Sequence, residues 1–240
     1  MEYGIQMYSV RDLTEKNMDE ALRQVSELGY KNVEFAGFFG IPAEEIKAML
    51  EKYGLKVSGT HTGWREIADH FEETVAYHKA IGNKNIIIPG GDFSDQTKLD
   101  ALIDMINEFQ PKLAAEGITL GFHNHHREFL PNKDGSNIED QLIYRTNVML
   151  EIDTYWAYVG MKNPVALLER LKDRVKVIHV KDGDADGNGT PLGMGTAPVA
   201  DVYAKAIEMG LPMVVGSETC NPDGMTEAKI CIEYLKSLEK

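Results

Sequence analysis

The chain has 240 residues, 43% hydrophobic and 26% charged, and a formal net charge of −13. That is the composition of an ordinary globular protein, and the length suits one (β/α)8 barrel of roughly 250 residues. The charge repels phosphate backbones, no basic cluster offers nucleic acid a groove, and no apolar run approaches the ~18 residues that cross a bilayer.

The opening Met-Glu-Tyr-Gly-Ile-Gln-Met-Tyr-Ser-Val has neither a basic segment nor an apolar one of the secretory kind. The two cysteines, Cys220 and Cys231, have no metal or disulfide spacing. A cytoplasmic location is expected. No linker divides the sequence, so residues 1–240 read as a single domain.

Along the chain, the first expected strand runs from Gly4 to Tyr8. An apolar stripe at helical spacing follows (Met18, Ala21, Leu22, Val25, Leu28), then Gly29 and a strand at Tyr30–Phe35. The same rhythm of helix, glycine and short apolar strand recurs at Gly54 (Leu55–Gly59), Gly82 (Asn83–Ile88), Gly117 (Ile118–Phe122) and Gly210 (Leu211–Val215). A glycine just past a helix adopts the left-handed conformation that lets the chain reverse. Strands at Val148–Ile152 and Val175–Val180 lack the glycine but keep the rhythm. Further stripes fall at Leu99, Leu102, Ile103, Ile106 and Phe109, and at Val165, Leu168 and Leu171. Eight strands alternating with helices predict parallel βαβ units closed into a TIM barrel. An open doubly wound sheet is the alternative, disfavoured because no Gly-x-Gly-x-x-Gly turn follows the first strand. The irregular stretches Pro131–Ile138 and Gly183–Pro198 follow strands and are expected as loops, and candidate lids, over the mouth.

In such a barrel the chemistry sits at the C-terminal ends of the strands. Those ends carry Gln6, Tyr8 and Arg11, then Glu34, then His61, then His123, His125, His126 and Glu128, then Asp153 and Trp156, then His179, Lys181 and Asp182, and finally Glu218. Alternation along Met149–Asp153 points Leu150 and Ile152 at helices and Asp153 inward, and the same parity sets His179 with Val175 and Val177. His, Asp and Glu converging from four strands suit one divalent cation, manganese, cobalt, zinc or iron rather than calcium. A single strand-end histidine is more often only a hydrogen-bonding group; it is the set that carries the signal.

Gly-Phe-His-Asn-His-His-Arg-Glu-Phe, Leu-Glu-Ile-Asp-Thr-Tyr-Trp, Val-Ile-His-Val-Lys-Asp and Leu-Gly-Met-Gly-Thr resemble the sugar phosphate isomerase/epimerase family, whose members have the xylose isomerase-like TIM barrel. The resemblance runs from Ile-Gln-Met-Tyr-Ser-Val-Arg to Glu218. It implies a metal, manganese first with cobalt, zinc, iron or magnesium as alternatives, on a Glu, Asp, His and Glu. Carried over, these fall on His123, Asp153, His179 and Glu218. His123 departs from the family's glutamate, so His123 ligates, or Glu128 reaches in, or the metal binds weakly. The resemblance also leaves a homo-oligomer open.

The expected activity is isomerisation or epimerisation of a sugar, keto-sugar or polyol, by proton removal beside a metal-polarised carbonyl. Glu218, His125 and Glu128 are the candidate bases. Gln6, Tyr8, Arg11, Glu34, His61, Trp64, Trp156 and Lys181 are the candidate substrate contacts, with Phe38 in a lid. The alternatives are a lyase or hydratase on keto-sugars or oxidised glycosides, a non-catalytic sugar-binding barrel and, disfavoured by the charge, an apurinic-site endonuclease.

Overall fold

A computed structural model of the protein describes residues 1–91, 95–132 and 135–239. The barrel strands are β1 (Gly4–Gln6), β2 (Asn32–Phe35), β3 (Lys56–His61), β4 (Asn85–Ile88), β5 (Thr119–His123), β6 (Met149–Asp153) and β7 (Val175–Val180). A short ribbon, β8 (Asp182–Gly183) with β9 (Gly189–Thr190), follows, and β10 (Met213–Val215) closes the ring against β1. All barrel pairings are parallel, in the order β1-β10-β7-β6-β5-β4-β3-β2.

The helices form where the sequence stripes place them. The helix Met18–Leu28 starts at Asn17, whose side chain accepts from the Glu20 N–H, and buries Met18, Ala21, Leu22 and Val25. It stops at Gly29, which takes φ 104°. The helix Gln96–Ala115 starts at Asp95 and buries all of its expected stripe. In Pro164–Arg170 the buried positions are Pro164, Leu167 and Leu168, continued by Leu171, with Val165 at their edge. Proline opens this helix because its missing N–H would have had no partner there.

The strands alternate between two environments. Ile86, Ile88, Ile178, Val180 and Val215 point outward into the main core under the helices. Each such side chain contributes about 1.5–3 kcal/mol on burial. Ile87, Val177 and Val214 point inward and form a separate plug across the barrel. The plug fits because facing positions are glycine: a Cβ on Gly59 would lie 2.8 Å from Ile87 Cδ1, and on Gly121 3.1 Å from Ile87 Cγ1. Above the plug the inward positions turn polar.

Three expectations need correction here. β1 ends at Gln6, and Tyr8 lies in the 3-10 turn Met7–Val10 beyond it. Phe38 is not a lid residue: its ring packs at 5.1 Å from Phe35 and 4.4 Å from Tyr77, against the core. The stretch Gly183–Pro198 is fastened rather than loose, because the buried Asp182 carboxylate accepts from the backbone N–H groups of Gly183, Gly193, Gly195 and Ala197. The stretch Pro131–Ile138 lies partly outside the described residues; Pro131 bridges to Asn137.

Candidate metal centre and active site

Strand register brings the polar side chains to one level. His123 pairs with Glu151 across β5 and β6, Asp153 with His179 across β6 and β7, and Gln6 with Glu34 across β1 and β2. His61, His123, Glu151 and His179 each offer a ligand atom, and these atoms all lie within 4.8 Å of one another. The rings of His123 and His179 are 4.7 Å apart, and His61 stacks on His179 at 5.4 Å.

Asp153 borders this set. Its Oδ1 accepts from the Trp156 N–H and so caps the helix Thr154–Val159. Its Oδ2 faces His123 Nε2 at 3.5 Å and His179 Nδ1 at 3.8 Å. These distances are long for hydrogen bonds. They match the roughly 3.4 Å between neighbouring ligands around a tetrahedral ion with 2.0–2.1 Å bonds.

Beneath lies a carboxyl pair. Glu34, fully buried, accepts from Gln6 Nε2 at 3.0 Å and lies 2.9 Å from His179 Nε2. Glu151 Oε2 is 2.7 Å from His61 Nε2. Burial opposes charge on Glu34, but His61 and His179 outweigh it and hold the carboxyl well below the usual range. Burial and the neighbouring Glu34 push Glu151 well up. Burial and the nearby Glu34 carboxyl thus favour the protonated form at Glu151.

Asp153 Oδ2 and both ring nitrogens of His123 are buried without a hydrogen-bond partner. Unmet buried polar atoms of this kind cost free energy unless something else satisfies them. A divalent cation fits these residues: the orphaned His123 nitrogens and Asp153 Oδ2 lie beside the imidazoles of His61 and His179 and the carboxyl of Glu151. Burial pulls His61 well below its ordinary value and pulls His123 down, which favours the neutral imidazole that can ligate.

The rim holds the other expected residues. Glu218 lies three residues beyond β10, and its carboxylate, 32% exposed, pairs with Lys181 Nζ at 2.8 Å, not with the histidines. Lys181 is 3% exposed and lies 4.4 Å over the Trp156 ring. Arg11 donates to the carbonyls of Tyr8 and Glu218 and lies over the Tyr8 ring, bracing the rim. Trp64 packs partly buried against the core, with Arg65 over its ring. Gln6 and Glu34 are buried, with Gln6 Nε2 at 3.0 Å from both Glu34 Oε1 and His61 Nδ1. Glu128 is buried, and its Oε2 accepts from the His125 N–H at 3.0 Å. It does not reach into the metal-competent set.

Glu151 is the member of the candidate site that sequence reasoning missed. It shares the parity of Asp153, two residues on along one strand, and that alternation was the available signal.

Residues 22–238 match the family model described as the xylose isomerase-like TIM barrel, and the chain belongs to that family. It is 23% identical to an inosose dehydratase of Geobacillus kaustophilus, over 92% of this chain and 87% of that one. It is 26% identical to a 2-oxo-tetronate isomerase of Haemophilus influenzae, over 80% and 84%. The crystal structure of a sugar phosphate isomerase/epimerase from Parabacteroides distasonis superposes with a TM-score of 0.85, at 26% identity, over 97% of this chain and 96% of that one.

Proposed function

We propose that this protein is a metal-dependent isomerase or epimerase of a keto-sugar or keto-polyol. The observation that carries the reading is the set of buried, unpartnered donors on His123 and Asp153 beside His179, open upward to a rim with an accessible carboxylate. His123, Asp153 and His179 would hold the ion, with Glu151 and His61 adjoining from below. Three imidazoles beside carboxylates suit manganese, iron, cobalt or zinc better than magnesium or calcium. When bound, the ion supplies Lewis-acid polarisation of the substrate carbonyl.

The remaining work falls to side chains of the rim. Glu218 is the carboxylate that a substrate can reach, and it takes the proton from the carbon beside the carbonyl. Lys181 holds Glu218 in place and presents its charge beneath the Trp156 face. The Trp156 ring, flanked by His125 at 5.9 Å and His126 at 5.4 Å, offers an apolar wall for a sugar ring.

Elimination of water is the second reading. It shares the proton abstraction and differs in what departs, and one curated relative is named as an inosose dehydratase. The test is incubation of the manganese-loaded protein with inosose and 2-oxo-tetronate in deuterated water. Deuterium entering the carbon skeleton without loss of water supports isomerisation or epimerisation; loss of water supports the dehydratase. Full turnover after rigorous chelation, or no exchange on either compound, would remove the proposal.

A further inference from the structure

We propose that His125 acts as a hydrogen-bond donor to a substrate oxygen through Nε2–H, and that Glu128 is the positioning residue that fixes it in that form. The inference rests on the function proposed above. It assigns His125 a role opposite to the base that its place in the sequence suggests.

The argument begins with the turn after β5. His125 caps the 3-10 turn His126–Phe129. Its side chain accepts from the Glu128 backbone N–H, while the Glu128 carboxylate accepts from the His125 backbone N–H. Of the two ring nitrogens only Nδ1 can fold back onto the following turn. A ring nitrogen that accepts a hydrogen bond carries no hydrogen. In the neutral ring the hydrogen then sits on Nε2, so Nε2 can donate and cannot accept.

The reciprocal bond removes the alternative. For Nδ1 to carry the hydrogen, it would have to face an N–H donor instead of an acceptor. Glu128 Oε1 is 4.0 Å from Nδ1, beyond hydrogen-bond reach, and the other carboxylate oxygen is already engaged by the His125 N–H. Glu128 is 3% exposed, so its carboxylate holds this geometry out of water.

The ring itself is placed for contact. Its side chain is 42% exposed, it stands nearly perpendicular to the His123 ring at 4.9 Å, and it lies 5.9 Å from the Trp156 ring. On its other side, Gly90 takes φ 137° and leaves the space that a Cβ would occupy 3.5 Å from Nδ1. His125 is thus a polar group of the wall above the metal-competent set. A fixed N–H there lowers the energy of an oxygen that gains negative charge when the neighbouring carbon loses its proton. No proton leaves the imidazole in this role, so the abstraction itself stays with Glu218.

The test uses two variants and one spectrum. Asparagine is a good turn cap but cannot reach as far as Nε2; glutamine places an amide N–H close to the Nε2 position. His125→Asn is expected to keep its thermal midpoint and its manganese affinity by calorimetry and to lose roughly a hundredfold in kcat. His125→Gln is expected to stay within about tenfold of the parent. Long-range 1H–15N spectra of histidine-labelled protein, with His125 assigned by its absence in the asparagine variant, should show a bare Nδ1 and a hydrogen on Nε2. Glu128→Ala keeps the backbone N–H but loses the carboxylate that anchors the turn to the His125 N–H, so it should loosen the cap and mix the two tautomers, and Glu128→Gln, whose amide oxygen can accept from that N–H, should restore one. A hydrogen on Nδ1, or a glutamine variant no better than the asparagine one, would overturn the assignment. If the parent protein turns over no keto-sugar, the function above fails, while the spectra still decide the state of the ring.

Discussion

His179 Nε2 lies 2.9 Å from Glu34 Oε1, while Nδ1 on the opposite edge of the ring faces Asp153 Oδ2 at 3.8 Å. Glu34 is held ionised by its histidine neighbours and acts only as an acceptor, so Nε2 must carry the hydrogen. In the neutral ring Nδ1 then keeps a free lone pair beside Asp153 and His123; burial favours that form, while the charges of Glu34 and Asp153 outweigh burial and push the ring's pKa up. A carboxylate behind a ligating histidine fixes its tautomer and raises its basicity. Glu34→Gln should therefore lower divalent-ion affinity roughly 10–100-fold, read by calorimetry with manganese and with zinc. Unchanged affinity in a variant with the parent's circular dichroism would show that Glu34 does not orient the ring.

Glu139 gives a pH prediction far from the metal-competent set. Both of its oxygens are buried and unpartnered, and burial, reinforced by Glu128, pushes its carboxyl up to about 8. Folded, it stays neutral up to that pH; unfolded, it ionises near the ordinary 4.5. The stability that goes with the neutral form is complete below pH 4.5 and is lost as pH rises through 8. The slope is at most about 1.4 kcal/mol per pH unit. Glu139→Gln cannot ionise, so its thermal midpoint should rise relative to the parent's between pH 4.5 and 8. Parallel curves for the two proteins would contradict this.

Asp182 ties the stretch after β7 by accepting from four backbone N–H groups. Asp182→Ala leaves these donors unmet, and at about 1–3 kcal/mol for a buried unsatisfied group the loss should be at least ~2 kcal/mol. Residues 183–198 should also become sensitive to limited proteolysis under native conditions. A variant with the parent's stability and cleavage pattern would mean that the stretch is held elsewhere.

Gly59 tests the barrel interior. A Cβ there would meet Ile87 Cδ1 at 2.8 Å and Glu34 Oε2 at 3.3 Å. Overfilling a packed interior costs roughly 1–3 kcal/mol, so Gly59→Ala should lose about that in denaturant unfolding. Adding Ile87→Val removes the clashing methyl and should recover part of it. Equal losses in the single and double variants would place the strain somewhere other than Ile87.

The eight strands were legible because the sequence repeats one unit, with glycines at 29, 54, 82, 117 and 210 marking where helices end. The inward parity of Asp153 and His179 was legible for the same reason: Leu150, Ile152, Ile178 and Val180 declare the outward face. Glu151 escaped notice because attention to strand ends passes over a carboxylate one step deeper, where an acid is tolerated only by holding its proton and by its histidine partners. The direction of Glu218 was illegible for a different reason. It lies past the end of β10, where alternation no longer constrains a side chain, and its choice of Lys181 is set by tertiary contact. Phe38 shows the same limit, since an apolar residue after a strand reads equally as lid or as core.

Ile87, Val177 and Val214 close the barrel beneath the acids, so the well above them is a cul-de-sac. A second hollow of about 550 Å³ opens at the opposite end, lined in part by Asn32, Lys84 and Lys176, and it shares only the underside of that plug. A molecule that reaches the histidines must therefore enter and leave by one doorway. A compound lodged in the lower hollow would not touch the histidines and could act on them only through the packing of the barrel.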